Sequence, residues 1–216
     1  MRENMIYDSN QYQLRDYIVE RIAEVIANNR NSVPGGVVFF GDSLTQYLNL
    51  GKFFPEYKNA YNSGVVGISS HMLLHFVDEG VIKYAPKTVF LMVGTNDLGN
   101  TVMASPRDIA LNVKEIVEII HYNLPECQIN LVSCIPCVEK IHGYRAKGDG
   151  LRSNEILQMV LSEYQRVIPY DYVKFINVFP ELLDTDGNAV ERYYRDGLHI
   201  NDEGYRLLVD KVKQQL

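Results

Sequence analysis

Residue types that together perform nucleophilic catalysis occur in two short clusters of the sequence. Gly41-Asp42-Ser43-Leu44 offers a serine hydroxyl, and Asp196-Gly197-Leu198-His199 offers a carboxylate and an imidazole three positions apart. A serine hydroxyl is a weak nucleophile until an adjacent base removes its proton. An imidazole can act as that base when a carboxylate on its other ring nitrogen fixes its tautomer. The spacing therefore predicts Ser43 as nucleophile, His199 as base and Asp196 as the group that orients the base.

Two further clusters contain donors for the oxyanion that forms when a serine attacks an ester. They are Asn62-Ser63-Gly64-Val65-Val66-Gly67 and Gly94-Thr95-Asn96-Asp97. Donors aimed at the developing charge are each worth ~3–4 kcal/mol of barrier. The predicted oxyanion hole consists of the backbone N–H groups of Ser43 and Gly67 and the side-chain amide of Asn96. A glycine suits this position because a substrate can approach its backbone closely.

Each cluster alone has a plainer interpretation as a turn, since Gly, Asp, Asn and Ser all suit turns. Their combination favours a site, because three of the clusters follow three successive predicted strands. Asp42, Gly94 and Asp97 are predicted to support the reactive residues within these clusters.

The hydrophobic pattern indicates the elements that must bring the clusters together. Short apolar runs alternate with longer amphipathic stretches, and several runs are apolar throughout, as in a parallel sheet covered on both faces. This alternation predicts an α/β sandwich, in which ligands bind beyond the carboxyl ends of the strands. The predicted strands are Val37–Phe40, Ala60–Asn62, Thr88–Val93, Ile129–Ser133 and Tyr172–Val178.

Three helices have clear sequence signals. Apolar residues recur at helical spacing from Leu14 to Ile26 and predict an amphipathic helix before the first strand. Ser105 followed by a proline, and Asn201 followed by two acidic residues, predict the starts of two later helices. We expect one domain over residues 1–216, with residues 1–33 packed on it as an N-terminal helical segment.

The charge balance restricts the partners of the chain. Its 216 residues include 21 basic and 27 acidic side chains, which gives a net charge of −6. This balance disfavours nucleic acid and anionic membranes as partners, because both require a basic surface. No apolar run approaches the ~20 residues that span a bilayer. Three cysteines, an odd number, fit a reducing compartment, and we expect a cytoplasmic protein without membrane insertion.

The order serine, aspartate, histidine also occurs in α/β-hydrolases, which place the serine in a Gly-x-Ser-x-Gly elbow. Here Thr45 stands where the second glycine belongs, and Ser43 follows the first predicted strand of the sheet. The α/β-hydrolase interpretation is therefore weak.

The four clusters together resemble the SGNH (GDSL-type) hydrolase superfamily, in the branch similar to platelet-activating-factor acetylhydrolases. The resemblance runs from about residue 37 to about residue 204 and includes all four blocks in order. It implies a flavodoxin-like three-layer α/β/α sandwich with five parallel strands, and ester hydrolysis through an acyl-enzyme without a metal or cofactor. It also suggests a homodimer.

The chain departs from this family pattern in the second block. Many relatives have an arginine after the asparagine of that block and a polar residue after its last glycine. Here those two positions are Ser63 and Ile68. We therefore expect a more apolar pocket wall than in typical members.

Three other patterns could indicate redox or metal sites. Cys134-Ile135-Pro136-Cys137 has redox spacing but follows a predicted strand instead of opening a helix, so two small residues at a strand end is the better interpretation. His71 and His75 lie four apart, but the glutamate of a His-Glu-x-x-His site and a third ligand are missing. The segment 184–188 has the spacing of a calcium loop but lacks the required glycine and closing glutamate, which favours a tight turn.

The long segment Val138–Leu151 follows a strand on the same rim as the clusters. Its length, glycines and charges are compatible with a lid, a subunit contact or a solvated loop.

The function predicted from these residues is a serine esterase that acts on small acyl esters, acetyl esters above all. Two alternatives use the same machinery, namely acyl transfer to a sugar or alcohol and hydrolysis of a thioester. A third alternative, from another class, is a binding or scaffold module that retains the fold without turnover.

Overall fold

The computed structural model describes residues 15–99, 104–147 and 150–216, which contain a five-stranded, fully parallel sheet. The strand order is β2-β1-β3-β4-β5. This confirms the predicted α/β sandwich and its five parallel strands. The strands are β1 (Val37–Gly41), β2 (Ala60–Gly64), β3 (Thr88–Met92), β4 (Gln128–Val132) and β5 (Val173–Ile176).

Where the strand ends differ from the sequence prediction, they differ by one or two residues. Strands β1 and β2 both extend to a glycine, because Gly41 pairs with Gly64 in the parallel ladder. Pairing with a neighbouring strand here outweighs the low intrinsic strand propensity of glycine. The edge strand β5 is shorter than predicted at both ends. Tyr172, its predicted first residue, precedes the strand, and its ring stacks on the ring of His121 with centroids 3.7 Å apart.

Helices connect the strands and cover both faces of the sheet. They are α1 (Asp16–Asn29), α2 (Ser43–Gln46), α3 (Leu50–Phe53), α4 (Ser70–Leu74), α5 (Val77–Gly80), α6 (Pro106–Asn123), α7 (Glu139–His142), α8 (Tyr144–Lys147), α9 (Asn154–Val167) and α10 (Asp202–Lys213).

Alternate residues of each central strand enter two separate cores, as the period of two of a strand requires. In β1, Val38 and Phe40 pack with residues of α1, α4, α5, α6 and α9 on one face. Val37 and Phe39 pack with residues of α2, α3 and α10 on the other. The result is the predicted three-layer sandwich.

The helix starts confirm the predicted caps. The Ser105 hydroxyl accepts a hydrogen bond from the Asp108 N–H at 3.2 Å, at the start of α6. The Asn201 side chain accepts hydrogen bonds from the N–H groups of Glu203 and Gly204 at the start of α10. These bonds satisfy backbone donors that a helix start otherwise leaves unpaired.

The predicted N-terminal helix is also present, as α1. Its Ile18 and Val25 are buried in the first core. Leu14 and the rest of residues 1–14 lie outside the described residues. None of the helices in the described ranges combines the length and apolar character needed to cross a membrane.

Candidate active site

The turn that follows β1 places Ser43 at the first position of the short helix α2. Asp42 precedes it as the cap residue, and its carboxylate accepts a hydrogen bond from the Leu44 N–H at 2.9 Å. Gly41 leaves no room for a side chain, since a Cβ there would lie 2.0 Å from the Met92 carbonyl oxygen. The Gly-Asp-Ser sequence therefore forms a tight strand-to-helix turn with the serine at its apex.

Ser43, His199 and Asp196 form a continuous chain of hydrogen-bonded side chains. The Oγ of Ser43 lies 3.0 Å from Nε2 of His199. On the other side of the ring, Nδ1 lies 2.7 Å from Oδ2 of Asp196. With Nδ1 donating to the carboxylate, Nε2 is left free to accept the serine proton.

The loop around Asp196 explains how its carboxylate is held. Its Oδ1 accepts hydrogen bonds from the N–H groups of Leu198 at 2.9 Å and His199 at 2.8 Å. Partial burial disfavours the charged form, but the hydrogen bonds from the His199 ring and from these two N–H groups outweigh it and lower the pKa of Asp196 to about 2. The group that orients His199 is therefore a carboxylate at any pH well above 2.

The predicted oxyanion residues lie at the ends of the next two strands. Gly67 has φ of +75°, a left-handed conformation that glycine adopts without strain. The Asn96 side chain donates one hydrogen bond from Nδ2 to the Ile68 carbonyl at 3.0 Å, which leaves its second amide hydrogen for another acceptor. In the described part of the chain no acceptor takes the backbone N–H of Ser43 or of Gly67.

Asp97 connects the two loops that contain Gly67 and Asn96. Its buried carboxylate accepts hydrogen bonds from the backbone N–H and the hydroxyl of Ser70, at the start of α4. The Ser70 hydroxyl in turn accepts a hydrogen bond from Asn112 of α6 at 2.9 Å. Sequence reasoning assigned Asp97 only a general supporting role and missed Ser70 and Asn112.

Two buried carboxylates lie beneath the site. Burial raises the pKa of Asp42 to about 7, with a further rise from the neighbouring charge of Asp97 and opposing contributions from the Leu44 N–H and Arg152. Burial likewise raises the pKa of Asp97 to about 6, against the hydrogen bonds from Ser70. Gly94, the third predicted supporting residue, has φ of +127° and lies against Tyr164 and Cys134, where a Cβ would be 2.6 Å from the tyrosine hydroxyl oxygen.

Arg21 is a residue at the site's edge that sequence reasoning missed. From α1 its Nε donates to the Gly64 carbonyl at 2.9 Å, and its Nη2 donates to the Asn62 carbonyl at 2.7 Å. Asn62 in turn donates to the Thr45 carbonyl of α2 at 2.7 Å. A guanidinium thus binds the end of β2 although Ser63 stands where many relatives have an arginine. Arg21 lies 41 positions before Asn62, so no local spacing could reveal the contact.

The segment Val138–Leu151 contacts both halves of the site. At one end the Val138 N–H donates to the Gly197 carbonyl, between Asp196 and His199. At the other, the Leu151 N–H donates to the Leu98 carbonyl. The described part of this segment contains the short helices α7 and α8, and its role as a lid, a subunit contact or a solvated segment stays a prediction.

The redox and metal patterns have structural explanations. Cys134 and Cys137 are buried free thiols just after β4, and burial raises the pKa of both, which opposes thiolate chemistry. The rings of His71 and His75 pack edge to face on each other. The Asp184 carboxylate accepts hydrogen bonds from the backbone N–H groups of Asp186 and Asn188 across a tight turn, as predicted. Within the described ranges, no group of three or more His, Cys, Asp and Glu side chains could hold a metal ion.

Comparison with known proteins agrees with this fold. The GDSL-like lipase/acylhydrolase family matches residues 39–207, and the chain belongs to that family. Members of the family are esterase-type hydrolases, and this protein is a carboxylic ester hydrolase.

Several of the similar curated proteins are acetylhydrolase subunits. The chain is 26% identical over 184 residues to platelet-activating factor acetylhydrolase IB subunit alpha1 of Bos taurus, covering 83% of this chain and 74% of that one. It is 28% identical over 183 residues to subunit alpha2 of the Homo sapiens protein, covering 78% of this chain and 70% of the other. A solved structure from Streptococcus pneumoniae, described as a platelet activating factor, is 29% identical with a TM-score of 0.82, covering 92% of both chains.

Proposed function

We propose that this protein hydrolyses short-chain carboxylic esters, acetyl esters above all, through an acyl-enzyme on Ser43. The observation that supports this most directly is the unbroken hydrogen-bond chain from Asp196 through His199 to Ser43. The relatives described as acetylhydrolases support the proposed preference for acetyl. No metal is required, because the imidazole supplies the base.

In the proposed reaction, Ser43 Oγ attacks the carbonyl carbon while its proton passes to His199 Nε2. The oxyanion accepts hydrogen bonds from the N–H groups of Ser43 and Gly67 and from the Asn96 amide. The intermediate then collapses, the alcohol leaves with the proton of His199, and Ser43 keeps the acyl group. Water attacks this ester with His199 as base, which releases the carboxylic acid and restores the serine.

The direct test compares hydrolysis of p-nitrophenyl acetate by the wild type and by Ser43→Ala. We expect a loss of at least about 10³-fold in kcat, because no other group can form the acyl-enzyme. Ser162→Ala, an exposed serine on α9, is the matched control and should retain wild-type activity. Equal rates for wild type and Ser43→Ala would end the proposal.

A fluorophosphonate probe and product analysis separate the alternatives. Labelling confined to the peptide that contains Ser43 would support turnover and exclude a silent scaffold. Acetyl transfer to an added sugar or alcohol, or faster cleavage of an acetyl thioester than of the oxygen ester, would identify the transferase or the thioesterase instead.

We further propose one domain, since both cores share the same sheet, and action in the cytoplasm, in keeping with three free thiols. The homodimer stays a prediction from the family resemblance, and sedimentation velocity measures it.

A further inference from the structure

The N-terminal helix brings a tyrosine to the oxyanion glycine. A Cβ built on Gly67 would meet one neighbour within 4 Å, the hydroxyl oxygen of Tyr17 at 3.2 Å. Since N and Cβ of one residue are about 2.5 Å apart, this hydroxyl lies within about 6 Å of the Gly67 nitrogen. Tyr17 is 43% exposed, so its ring borders open space and not the core. It also lies outside residues 39–207, the part of the chain that matches the family.

Two neighbours of Tyr17 in α1, one beside it and one a turn further along, anchor this helix to the rest of the protein. Arg21 lies four positions on, on the same helix face, and its guanidinium binds the end of β2 through Asn62 and Gly64. The Arg21 side chain is only 12% exposed. Ile18, next to Tyr17, is buried in the first core. The turn of α1 that carries Tyr17 is therefore anchored to the rest of the protein through both residues.

The stereochemistry of the reaction indicates which part of the ester would meet Tyr17. In the tetrahedral intermediate the reacting carbon bears the serine oxygen, the oxyanion, the leaving alcohol oxygen and the acyl chain. The alcohol oxygen must lie toward His199, which protonates it. On that side of the site the ring of Tyr47 packs edge-on against the His199 ring, with centroids 5.3 Å apart. The oxyanion faces Gly67 and Asn96. The acyl chain takes the remaining direction, away from His199.

We propose that Tyr17 forms a wall of the acyl-binding site and thereby sets the length of acyl chain that the enzyme accepts. This inference builds on the function proposed above, with Ser43 as nucleophile and Gly67 as an oxyanion donor. The tyrosine leaves room for an acetyl group beside Gly67 and obstructs the additional methylene groups of a longer chain. It is a specificity-determining residue and takes no part in proton transfer.

The test measures kcat/KM for p-nitrophenyl acetate, butyrate and hexanoate and takes the ratio of hexanoate to acetate. Tyr17→Ala should raise this ratio at least about fivefold, since even one methylene group is worth about 10- to 200-fold in a pocket that discriminates for or against it. Tyr17→Phe removes only the hydroxyl and should shift the ratio less, in the same direction. Val19→Ala, on the opposite face of α1 and 47% exposed, is the matched control and should keep the wild-type ratio.

The ratio is insensitive to the amount of folded enzyme, so partial unfolding of a variant cannot imitate the result. A ratio for Tyr17→Ala within twofold of the Val19→Ala value would overturn the proposal, as would an equal loss on all three esters. Failure of the proposed function has a different signature, because wild type and Ser43→Ala would then hydrolyse the acetate at the same rate.

Discussion

The Asp97 carboxylate holds Ser70 by three hydrogen bonds, two from the backbone N–H at 3.0 and 2.9 Å and one from the hydroxyl at 2.5 Å. One residue earlier, the Asn96 amide binds the Ile68 carbonyl. Asn96 and Asp97, which are adjacent in the loop after β3, therefore fix the positions of Ile68 and Ser70, which follow Gly67. The separation of the Gly67 N–H and the Asn96 amide, the two donors of the proposed oxyanion hole, depends on these contacts.

Replacement of Asp97 by asparagine tests this positioning role. An amide has one oxygen in place of two and turns its own N–H donors toward those of Ser70. We expect kcat for p-nitrophenyl acetate to fall about 10- to 100-fold, with KM within about threefold of wild type, because misaligned donors lose stabilisation made in the transition state.

Asp184→Asn is the matched control, since Asp184 also accepts backbone N–H groups but in a remote turn. It should leave both constants unchanged. An Asp97→Asn enzyme that has an altered KM and an unchanged kcat would contradict the positioning role.

The buried Asp42 predicts an unusual dependence of stability on pH. Its pKa rises from 3.8 to about 7 in the folded state, chiefly through burial. Between these values the folded protein binds more protons than the unfolded chain, so its contribution to stability is lost as pH rises from about 4 to about 7. At pH 8 the buried charge costs about 4 kcal/mol.

Asp42→Asn keeps an oxygen for the Leu44 N–H and removes the charge. Thermal unfolding should show a Tm above that of wild type by about 5 °C or more at pH 8, and a much smaller difference at pH 5. A Tm difference of the same size at both pH values would show that the charge of Asp42 is not its cause.

Most of the fold could be predicted from the sequence because its signals are local. Buried runs such as Thr88–Met92 are apolar throughout, and Ser105 and Asn201 cap helices within three residues of themselves. Strand ends could not be predicted as well, because pairing across the sheet decides them, as at Gly41 and Gly64.

The contacts of the candidate site likewise divide into local ones, which the sequence predicts, and distant ones, which it does not. The Asp196 and His199 contact spans three positions and follows from the loop sequence. The contact between Arg21 and Asn62 spans 41 positions, and that between Ser70 and Asp97 spans 27. Nothing in the residues around Arg21 or Ser70 marks a partner so far along the chain, so only the folded structure reveals both.

The low pKa of Asp196 makes a separate prediction about catalysis. Because this carboxylate is charged at any pH well above 2, its titration cannot produce a loss of activity between pH 4 and 7. Asp196→Asn should lower kcat by about 10³-fold at pH 8, since an amide no longer selects the tautomer in which Nε2 is the base. The measurement is kcat for p-nitrophenyl acetate, with Asp186→Asn, at an exposed turn, as the control. A loss below tenfold would argue against Asp196 as the orienting group.

Gly67 and Gly187 offer a comparison that separates backbone strain from catalytic geometry. Both have a left-handed φ, +75° and +82°, so alanine at either position should lower the free energy of unfolding by about 1 kcal/mol. A Cβ at Gly67 would meet the Tyr17 hydroxyl at 3.2 Å, whereas a Cβ at Gly187 would meet nothing within 4 Å.

If the Gly67 N–H stabilises the oxyanion, only Gly67→Ala should reduce kcat, by tenfold or more, because the new methyl group displaces either the N–H or the tyrosine beside it. Denaturant unfolding and kcat for p-nitrophenyl acetate, measured on both variants, give the comparison. Adding Tyr17→Ala to Gly67→Ala removes the contact at 3.2 Å. Recovery of activity in that double variant would assign the loss to the tyrosine contact, and continued loss would assign it to the altered backbone. Equal activity of Gly67→Ala and Gly187→Ala would contradict the assignment of Gly67 to the oxyanion hole.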